Sequence, residues 1–252
     1  FQNMSAYDGS LRSFVSPGVM TIHFDERIVG FFKLKANVGV FGAISGMVLA
    51  FVSPFLSVLA VPFMLLGQTS ATIAAFIISF GFLLWFRIKR WIWFTFLSLL
   101  IVGGTLYITK YDMPTGQFNE RFKIWHKSFF DVTKTSPVIG VGLGKFKETN
   151  YQLDQGEGKE KLNWVWAHNE YLQLYFETGV IGLALFLTFL WRQAKDFLKL
   201  KANRDIQVLF SALICISLIS LFHFPFHVGK FAPLCVFMFA LYHAKVSELC
   251  QS

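Results

Sequence analysis

Long apolar runs separated by short basic segments constrain this chain more than any other feature. The runs cover about residues 38–67, 70–86, 91–109, 170–191, 206–223 and 231–246. Most of them approach the roughly 20 residues that a helix needs to cross the hydrocarbon core of a bilayer. Hydrophobic residues make up 54% of the chain, above the roughly 45–50% that is usual for a soluble domain. We therefore predict an all-α, polytopic transmembrane helix bundle.

The first apolar run contains Pro54 and Pro62 and allows two arrangements. Because proline breaks or kinks a helix, the run forms either two short helices with a turn near Ser53 and Pro54, or one long kinked helix. We favour the two short helices. The choice decides on which side of the membrane residues 1–36 lie.

Basic residues indicate which side of the membrane each connection faces. Three of the four residues 87–90 are basic, and residues 192–205 contain five Lys or Arg. The positive-inside rule places both segments in the cytoplasm. Residues 111–167 then form a long extracytoplasmic loop, and residues 1–36 also lie outside if the first run forms two helices. The predicted divisions are an extracytoplasmic segment (1–36), transmembrane helices (37–110), the long extracytoplasmic loop (111–167) and C-terminal transmembrane helices (168–252).

The net charge of +8 follows from this topology, since Lys and Arg are retained on the cytoplasmic side. Nucleic-acid binding is not favoured, because the positive charge is divided among short connections. The three cysteines have no CxxC or Cys/His spacing, so they predict neither a disulfide framework nor a metal site. The chain begins at Phe1 without a signal-peptide pattern, and we expect it to be the C-terminal part of a longer protein.

Residues 117–130 of the long loop predict a short amphipathic helix. Aromatic residues recur there at helical spacing, at Phe118, Phe122, Trp125 and Phe129. Arg121 lies one turn from Trp125 on the same side. Such an arginine could bind an anion, lie at the membrane interface, or pair with Glu120 or Asp131.

A glycine-rich turn, residues 136–144, follows this helix. Backbone N–H groups in such a turn can bind a phosphate. A tight loop on the membrane surface explains the same glycines without a ligand. Both interpretations stay open from the sequence.

A histidine and two acids lie where the loop enters an apolar helix: His168, Glu170 and Glu177. An imidazole of ordinary pKa, about 6.5, is mostly neutral at pH 7 and can accept a proton. The alternative for His168 is a helix-end histidine bonded to backbone. Asn169 is suited to cap the helix that follows. On a straight helix Glu177 would lie about 13 Å deeper than His168, where an acid needs a partner, and packing or positioning is favoured over proton transfer.

The remaining histidines carry no convincing motif. His223 and His227 are four residues apart, but Pro225 lies between them and no HExxH acid is present, so a zinc site is not favoured. His23, His126 and His243 stand alone.

Three motifs, in this order and spacing, carry a family resemblance. They are Arg121-x-x-x-Trp125, then Pro137-x-x-Gly140-x-Gly142-x-Gly144-x-Phe146, then Ala167-His168-Asn169-x-x-Leu172 with Glu177-x-Gly179-x-x-Gly182. Over about residues 118–191 they resemble the signature of the O-antigen ligase-related family. That family includes lipopolysaccharide O-antigen ligases, O-antigen polymerases and pilin O-oligosaccharyltransferases. Upstream, Arg27-x-x-Gly30-x-Phe32 with Asn37 is similar to a shorter family motif, but Ala36 stands where the family usually has proline.

The resemblance implies a partial membrane glycosyltransferase of GT-C architecture. It would move a glycan from an undecaprenyl-diphosphate carrier to an acceptor hydroxyl on lipid A-core, another glycan or a protein, without a metal or other cofactor. The site would face the periplasm from the bacterial inner membrane. Arg121, and Arg27 second, would hold the diphosphate, because a guanidinium grips phosphate oxygens bidentately. His168 would deprotonate the acceptor, and the residues expected to bind substrate beside Arg27 are Asn169, Glu170 and Lys145.

Other functions compete with an O-antigen ligase. A polymerase or protein-directed oligosaccharyltransferase of the same family differs in the acceptor it uses. A non-enzymatic membrane transport component would carry ionisable residues along its spans, and apart from Glu177 the predicted spans hold almost none. A partial copy without activity of its own is the third possibility.

Overall fold

The computed structural model describes residues 35–67, 70–89, 115–149, 151–153, 162–229 and 231–251, together with Ile92, Thr95 and Ser98. Arg27 and most of the predicted span at 91–109 lie outside the described residues. The described elements, in chain order, are α1 (Lys35–Val52), a 3-10 helix (Pro54–Ala60), α2 (Val61–Gly67), α3 (Ser70–Trp85), α4 (Thr115–Thr135), a 3-10 helix (Lys145–Thr149), β1 (Tyr151–Leu153), β2 (Leu162–Trp164), α5 (Glu170–Leu200), α6 (Arg204–Ile219) and α7 (Ala232–Gln251).

Helix dominates the described residues, which confirms the all-α class. The strands β1 and β2 form a short antiparallel hairpin in the long loop, with Tyr151 opposite Trp164. Among the described residues, two helices, α5 and α7, are long and apolar enough to cross a membrane. The helix at the predicted span 206–223 is α6, which has 16 residues. The full polytopic bundle stays a prediction.

The proline-containing segment forms two short helical arms, the arrangement that the sequence favoured. The chain leaves α1, turns through Pro54 into the 3-10 helix and continues as α2. The arms pack closely, because Ser57 Oγ donates a hydrogen bond to the Gly46 carbonyl at 2.9 Å. A Cβ on Gly42 would approach the Phe63 Cβ to 2.8 Å, so glycine is what lets the arms meet.

The two basic segments meet at one end of the helix bundle. Arg87 Nε donates to Gln207 Oε1 at 3.2 Å, and Arg204 Nη2 donates to the Val52 carbonyl at 3.4 Å. Hence α6 begins, and α1 ends, at this basic end. At the opposite end α6 finishes beside the start of α5, where the Glu170 N–H donates to the Ser220 carbonyl at 2.8 Å.

One apolar core holds the bundle together. Helices α1, α3, α6 and α7 pack around it, and its larger fully buried side chains are Ile44, Met47, Ile206, Ile216, Ile219, Phe231 and Tyr242. Because lipid tails are as apolar as these side chains, such a core in a membrane protein stabilises the bundle through close van der Waals packing. This core therefore fixes the end of α6 and the start of α7, and with them the loop between those helices.

Helix α5 is not straight. Gly179 has φ 66° and ψ −167°, which interrupts the helix after Thr178. Glu177 lies before this break, in the first segment of α5, where Gln173 Nε2 donates to its Oε1 at 3.2 Å. The break therefore leaves the expected separation of Glu177 from His168 unchanged, and that separation stays a prediction.

The glycine-rich turn fills the break in α5. Helix ends leave backbone N–H and C=O groups without intrahelical partners. The turn supplies the missing hydrogen-bond partners on both sides of the break. The bonds run from the Val141 N–H to the Phe176 carbonyl (3.0 Å), from the Gly142 N–H to the Glu177 carbonyl (2.9 Å) and from the Val180 N–H to the Pro137 carbonyl (2.8 Å).

Two glycines make this contact possible. Gly140 and Gly179 both have positive φ, at 72° and 66°. A Cβ on Gly140 would overlap the backbone of Glu177, and a Cβ on Gly179 would overlap the backbone of Val138. Because N–H groups of the turn donate to carbonyls of α5, the structure favours the tight-loop explanation of these glycines over phosphate binding.

Candidate active site

The amphipathic helix predicted for residues 117–130 is α4, which packs against α5. Ile124, Ser128 and Val132, spaced by four residues, are buried. Phe122 and Phe129 are 59% and 45% exposed, so these two positions of the aromatic repeat lie outside the face that packs on α5. The buried cluster that joins α4, α5 and the intervening loop is Ile124, Val132, Phe146, Ala167 and Phe176.

Arg121 and Trp125, one turn apart on α4, bond to backbone beside two different histidines. Trp125 Nε1 donates to the Ala167 carbonyl at 2.7 Å, immediately before His168. Arg121 Nη1 donates to the Phe222 carbonyl at 3.2 Å, immediately before His223. Helix α4 thereby brings the loop that precedes α5 and the α6–α7 loop, residues 220–229, to one place.

The guanidinium of Arg121 is half-buried and has no carboxylate within ion-pair distance among the described residues; the Glu120 side chain is not described. Burial lowers the pKa of Arg121, yet arginine stays charged at any relevant pH. A partly desolvated cation without a counter-charge favours a bound anion.

His168 combines an unusual backbone with a low proton affinity. Its φ of 52° is in the left-handed region, which is uncommon for a residue other than glycine, and such strain gathers at functional sites. Its ring packs edge-on against Phe224, with centroids 4.9 Å apart. Burial, then the charge of Arg121, then His223 lower its pKa to about 3. The imidazole is therefore neutral at pH 7, and it is less basic than the ordinary pKa used in the sequence analysis implies.

His223 lies close to both Arg121 and His168. It is 8% exposed, and its Nδ1 accepts a hydrogen bond from the Phe224 N–H at 3.0 Å. Burial, then the charge of Arg121, lower its pKa to about 4. His223 is therefore a neutral imidazole whose proton sits on Nε2.

His227 is held between two buried acids. Its Nδ1 lies 2.9 Å from Glu170 Oε2, and its Nε2 lies 3.7 Å from Glu177 Oε2. Burial alone would lower the pKa of His227, but hydrogen bonds to Glu170 and Glu177, and their charges, raise it to about 9. His227 is therefore an imidazolium at neutral pH, and it ties the α6–α7 loop to the first segment of α5.

Glu170 and the aromatic residues complete this attachment. Glu170 is 4% exposed, and its Oε1 accepts from the Phe226 N–H at 2.9 Å. Trp166 stacks on Phe224 with centroids 5.5 Å apart and 20° between the planes. Phe224 thus lies between His168 and Trp166, and the α6–α7 loop forms one side of the site.

A family comparison assigns the chain independently of this geometry. The family model described as O-antigen ligase matches residues 54–187, more than half of the chain. The chain belongs to the O-antigen ligase family. Members of this family are membrane-embedded, glycosyltransferase-like enzymes of bacteria. No curated protein matches the chain significantly.

The sequence motifs that resemble the O-antigen ligase family thus define one place in the fold. Asn169 Oδ1 accepts from the Leu172 N–H at 3.0 Å and caps α5, as the sequence predicts. Lys145 is exposed and pairs with Glu148 at 2.7 Å. Arg27 lies outside the described residues. The substrate-binding roles of these side chains stay predictions.

The matched O-antigen ligase segment ends before the α6–α7 loop, and sequence reasoning also missed that loop. His223 and His227 were weighed only as zinc ligands. A usable signal was present, because residues 222–227 alternate Phe and His around a proline in a turn that topology places on the same side as the long loop. Neither imidazole has an apparent role in a purely apolar turn.

Proposed function

We propose that the protein is a membrane glycosyltransferase that moves a glycan from an undecaprenyl-diphosphate carrier to an acceptor hydroxyl. The observation that carries this proposal is the meeting of a half-buried arginine, which lacks a carboxylate partner among the described residues, with a neutral histidine. A lipid-linked diphosphate supplies the anion that Arg121 lacks, and an acceptor hydroxyl supplies the proton that His168 can take. Membership of the O-antigen ligase family supports the same class of substrate.

In the proposed reaction, the acceptor oxygen attacks the anomeric carbon while the bond from that carbon to the phosphate oxygen breaks. The hydroxyl proton passes to the His168 imidazole, and the bonding electrons leave with the diphosphate. Arg121 stabilises the charge that develops there, which a desolvated guanidinium does far more strongly than water can. Attack from the face opposite the leaving group inverts the anomeric configuration.

The low pKa of His168 links binding of the glycan donor to activation of the acceptor hydroxyl. The charge of Arg121 is the second cause of the depression, after burial. A bound diphosphate neutralises that charge, so it raises the basicity of His168 at the moment when a base is needed. Donor binding therefore prepares the site for the acceptor.

The other predicted site residues take supporting roles in this proposal. Arg27 is the second ligand for the diphosphate, and Lys145 reaches substrate from the rim. Asn169 and Glu170 hold the site at its mouth, since both side chains are engaged by backbone N–H groups. The basic end of the bundle faces the cytoplasm, and the site faces the periplasm from the opposite end.

Replacement of His168 tests the proposal. The His168→Ala variant of the full-length protein should lose transfer by about 10²–10⁴-fold, the usual contribution of a general base. Transfer is measured by mass analysis of the product formed from a lipid-linked glycan and an acceptor. The matched control is His126→Ala, since His126 is an exposed histidine of α4. Wild-type turnover by His168→Ala, with unchanged membrane insertion, contradicts the proposed role.

A further inference from the structure

His223 lies next to Arg121, where the diphosphate is proposed to bind, and it has no role in the mechanism given above. The residue before it, Phe222, accepts the hydrogen bond from Arg121. The charge of Arg121 acts on both His223 and His168, so the three side chains share one small region. No carboxylate contributes to the shift of either imidazole among the described residues. The region is therefore cationic and lacks an internal counter-charge.

The hydrogen bond at Nδ1 fixes which nitrogen of His223 can donate. The Phe224 N–H is a donor, so Nδ1 must be the acceptor and a neutral ring carries its proton on Nε2. The depressed pKa keeps the ring neutral at pH 7. The tautomer is thus set by the backbone of the loop rather than by a ligand.

The Nε2–H group is left for a ligand. It has no acceptor among the described residues. If Nε2 were fully enclosed, it would be a buried polar atom without a partner. Among the described side chains, the one such atom is Gln193 Oε1. The Nε2 of His223 is therefore not sealed in the protein interior, although the side chain as a whole is more than nine-tenths buried.

We infer that His223 is a diphosphate-binding residue, whose Nε2–H donates to a non-bridging oxygen of the diphosphate held by Arg121. This inference rests on the proposed function. A neutral N–H donor adds a hydrogen bond without repelling Arg121. That bond strengthens as the leaving diphosphate gains charge, because hydrogen bonds to ionised acceptors are roughly twice as strong as neutral ones.

Two substitutions separate this role from a purely structural one. His223→Gln places an amide NH₂ near the position of Nε2 and keeps the donor. His223→Asn places a carbonyl oxygen near the position of Nδ1 and keeps the acceptor for the Phe224 N–H. A ligand role requires the glutamine variant to be the better enzyme, whereas a loop-ordering role requires the asparagine variant to be the better one.

The experiment compares kcat and KM for a lipid-linked glycan in both variants of the full-length protein. His223→Asn should lose about 10²-fold in kcat/KM, the usual effect of removing one donor to a developing charge. His223→Gln should retain at least about tenfold more activity than His223→Asn. Equal losses, no loss, or a better asparagine variant overturns the inference. His126→Gln and His126→Asn are the matched controls on an exposed histidine.

A second measurement keeps this test independent of glycan transfer. Inorganic pyrophosphate is titrated into the wild type and both variants by calorimetry in detergent. His223→Asn should weaken pyrophosphate binding about tenfold relative to His223→Gln. Equal binding by the two variants overturns the inference, even if the wild type transfers glycan as proposed. If transfer itself fails, the pyrophosphate series still decides the role of His223.

Discussion

Three histidines in this site have opposite proton affinities because their nearest charges differ. Burial and, after it, the charge of Arg121 lower the pKa of His168 to about 3 and that of His223 to about 4, and no carboxylate among the described residues acts on either ring. His227 lies between Glu170 and Glu177, and its pKa rises to about 9. At neutral pH the site therefore holds two neutral imidazoles near the proposed diphosphate position and one imidazolium in the supporting loop.

The raised pKa of His227 predicts a pH-dependent stability. Because the folded pKa lies above the ordinary value of about 6.5, the stabilisation is fully present below pH 6.5 and is lost as pH rises toward 9. The apparent Tm of the wild type should fall by on the order of 5 °C across this window. His227→Gln should remove that component. The same slope in wild type and variant, measured by thermal unfolding in detergent, contradicts the ion-pair account.

At the scale of elements, the glycine-rich turn and the break in α5 form one unit. The turn caps both sides of the break through backbone hydrogen bonds, and Gly140 and Gly179 pack against the opposite backbone. Phe146, just after the turn, is fully buried against Phe176. This unit fixes where α4 ends relative to the first segment of α5, and so where Arg121 lies relative to His168.

Two alanine substitutions separate steric fit from backbone conformation in this unit. Gly140 and Gly144 have the same φ of 72°, but an added Cβ overlaps the Glu177 backbone only at Gly140 and meets nothing within 4 Å at Gly144. Gly144→Ala should cost about 1–2 kcal/mol for the left-handed conformation. Gly140→Ala should cost a further amount of about 1–3 kcal/mol for overpacking, and it should also reduce glycan transfer. Equal losses of thermal stability in the two variants would show that the turn does not pack on α5 in this way.

At the scale of the whole molecule, helix direction sets the site opposite the basic end. Helix α6 begins where Arg87 and Arg204 meet, and it ends where Ser220 bonds to the start of α5. Because α1 packs against α6 and ends at the basic end, its first turn points toward the site. This direction is the one that the two-helix arrangement of the first apolar run requires for Arg27 to join the site.

Apolar runs and local signals predicted the helical class, the two arms around Pro54 and the cap at Asn169, whereas the roles of Arg121 and His168 were implied by the family resemblance and stay predictions. Periodicity predicted α4 but could not show which of its faces packs on α5, because Phe122 and Phe129 are exposed, whereas the less apolar Ser128 is buried. Local patterns also could not reveal the break in α5, since Gly179 is tolerated in a helix until the packed turn requires its positive φ. The roles of His223 and His227 depend on contacts between segments some 50 to 100 residues apart, which short-range patterns do not encode.

The most direct test of the account is glycan transfer by the purified full-length protein in lipid vesicles. The protein is incubated with an undecaprenyl-diphosphate-linked glycan and with lipid A-core, glycan or protein acceptors, and products are identified by mass spectrometry. We expect one acceptor to gain the mass of the glycan while an equal amount of undecaprenyl diphosphate is released. Movement of the intact lipid-linked glycan between leaflets without release of the diphosphate, or no reaction with any acceptor, would contradict a glycosyltransferase.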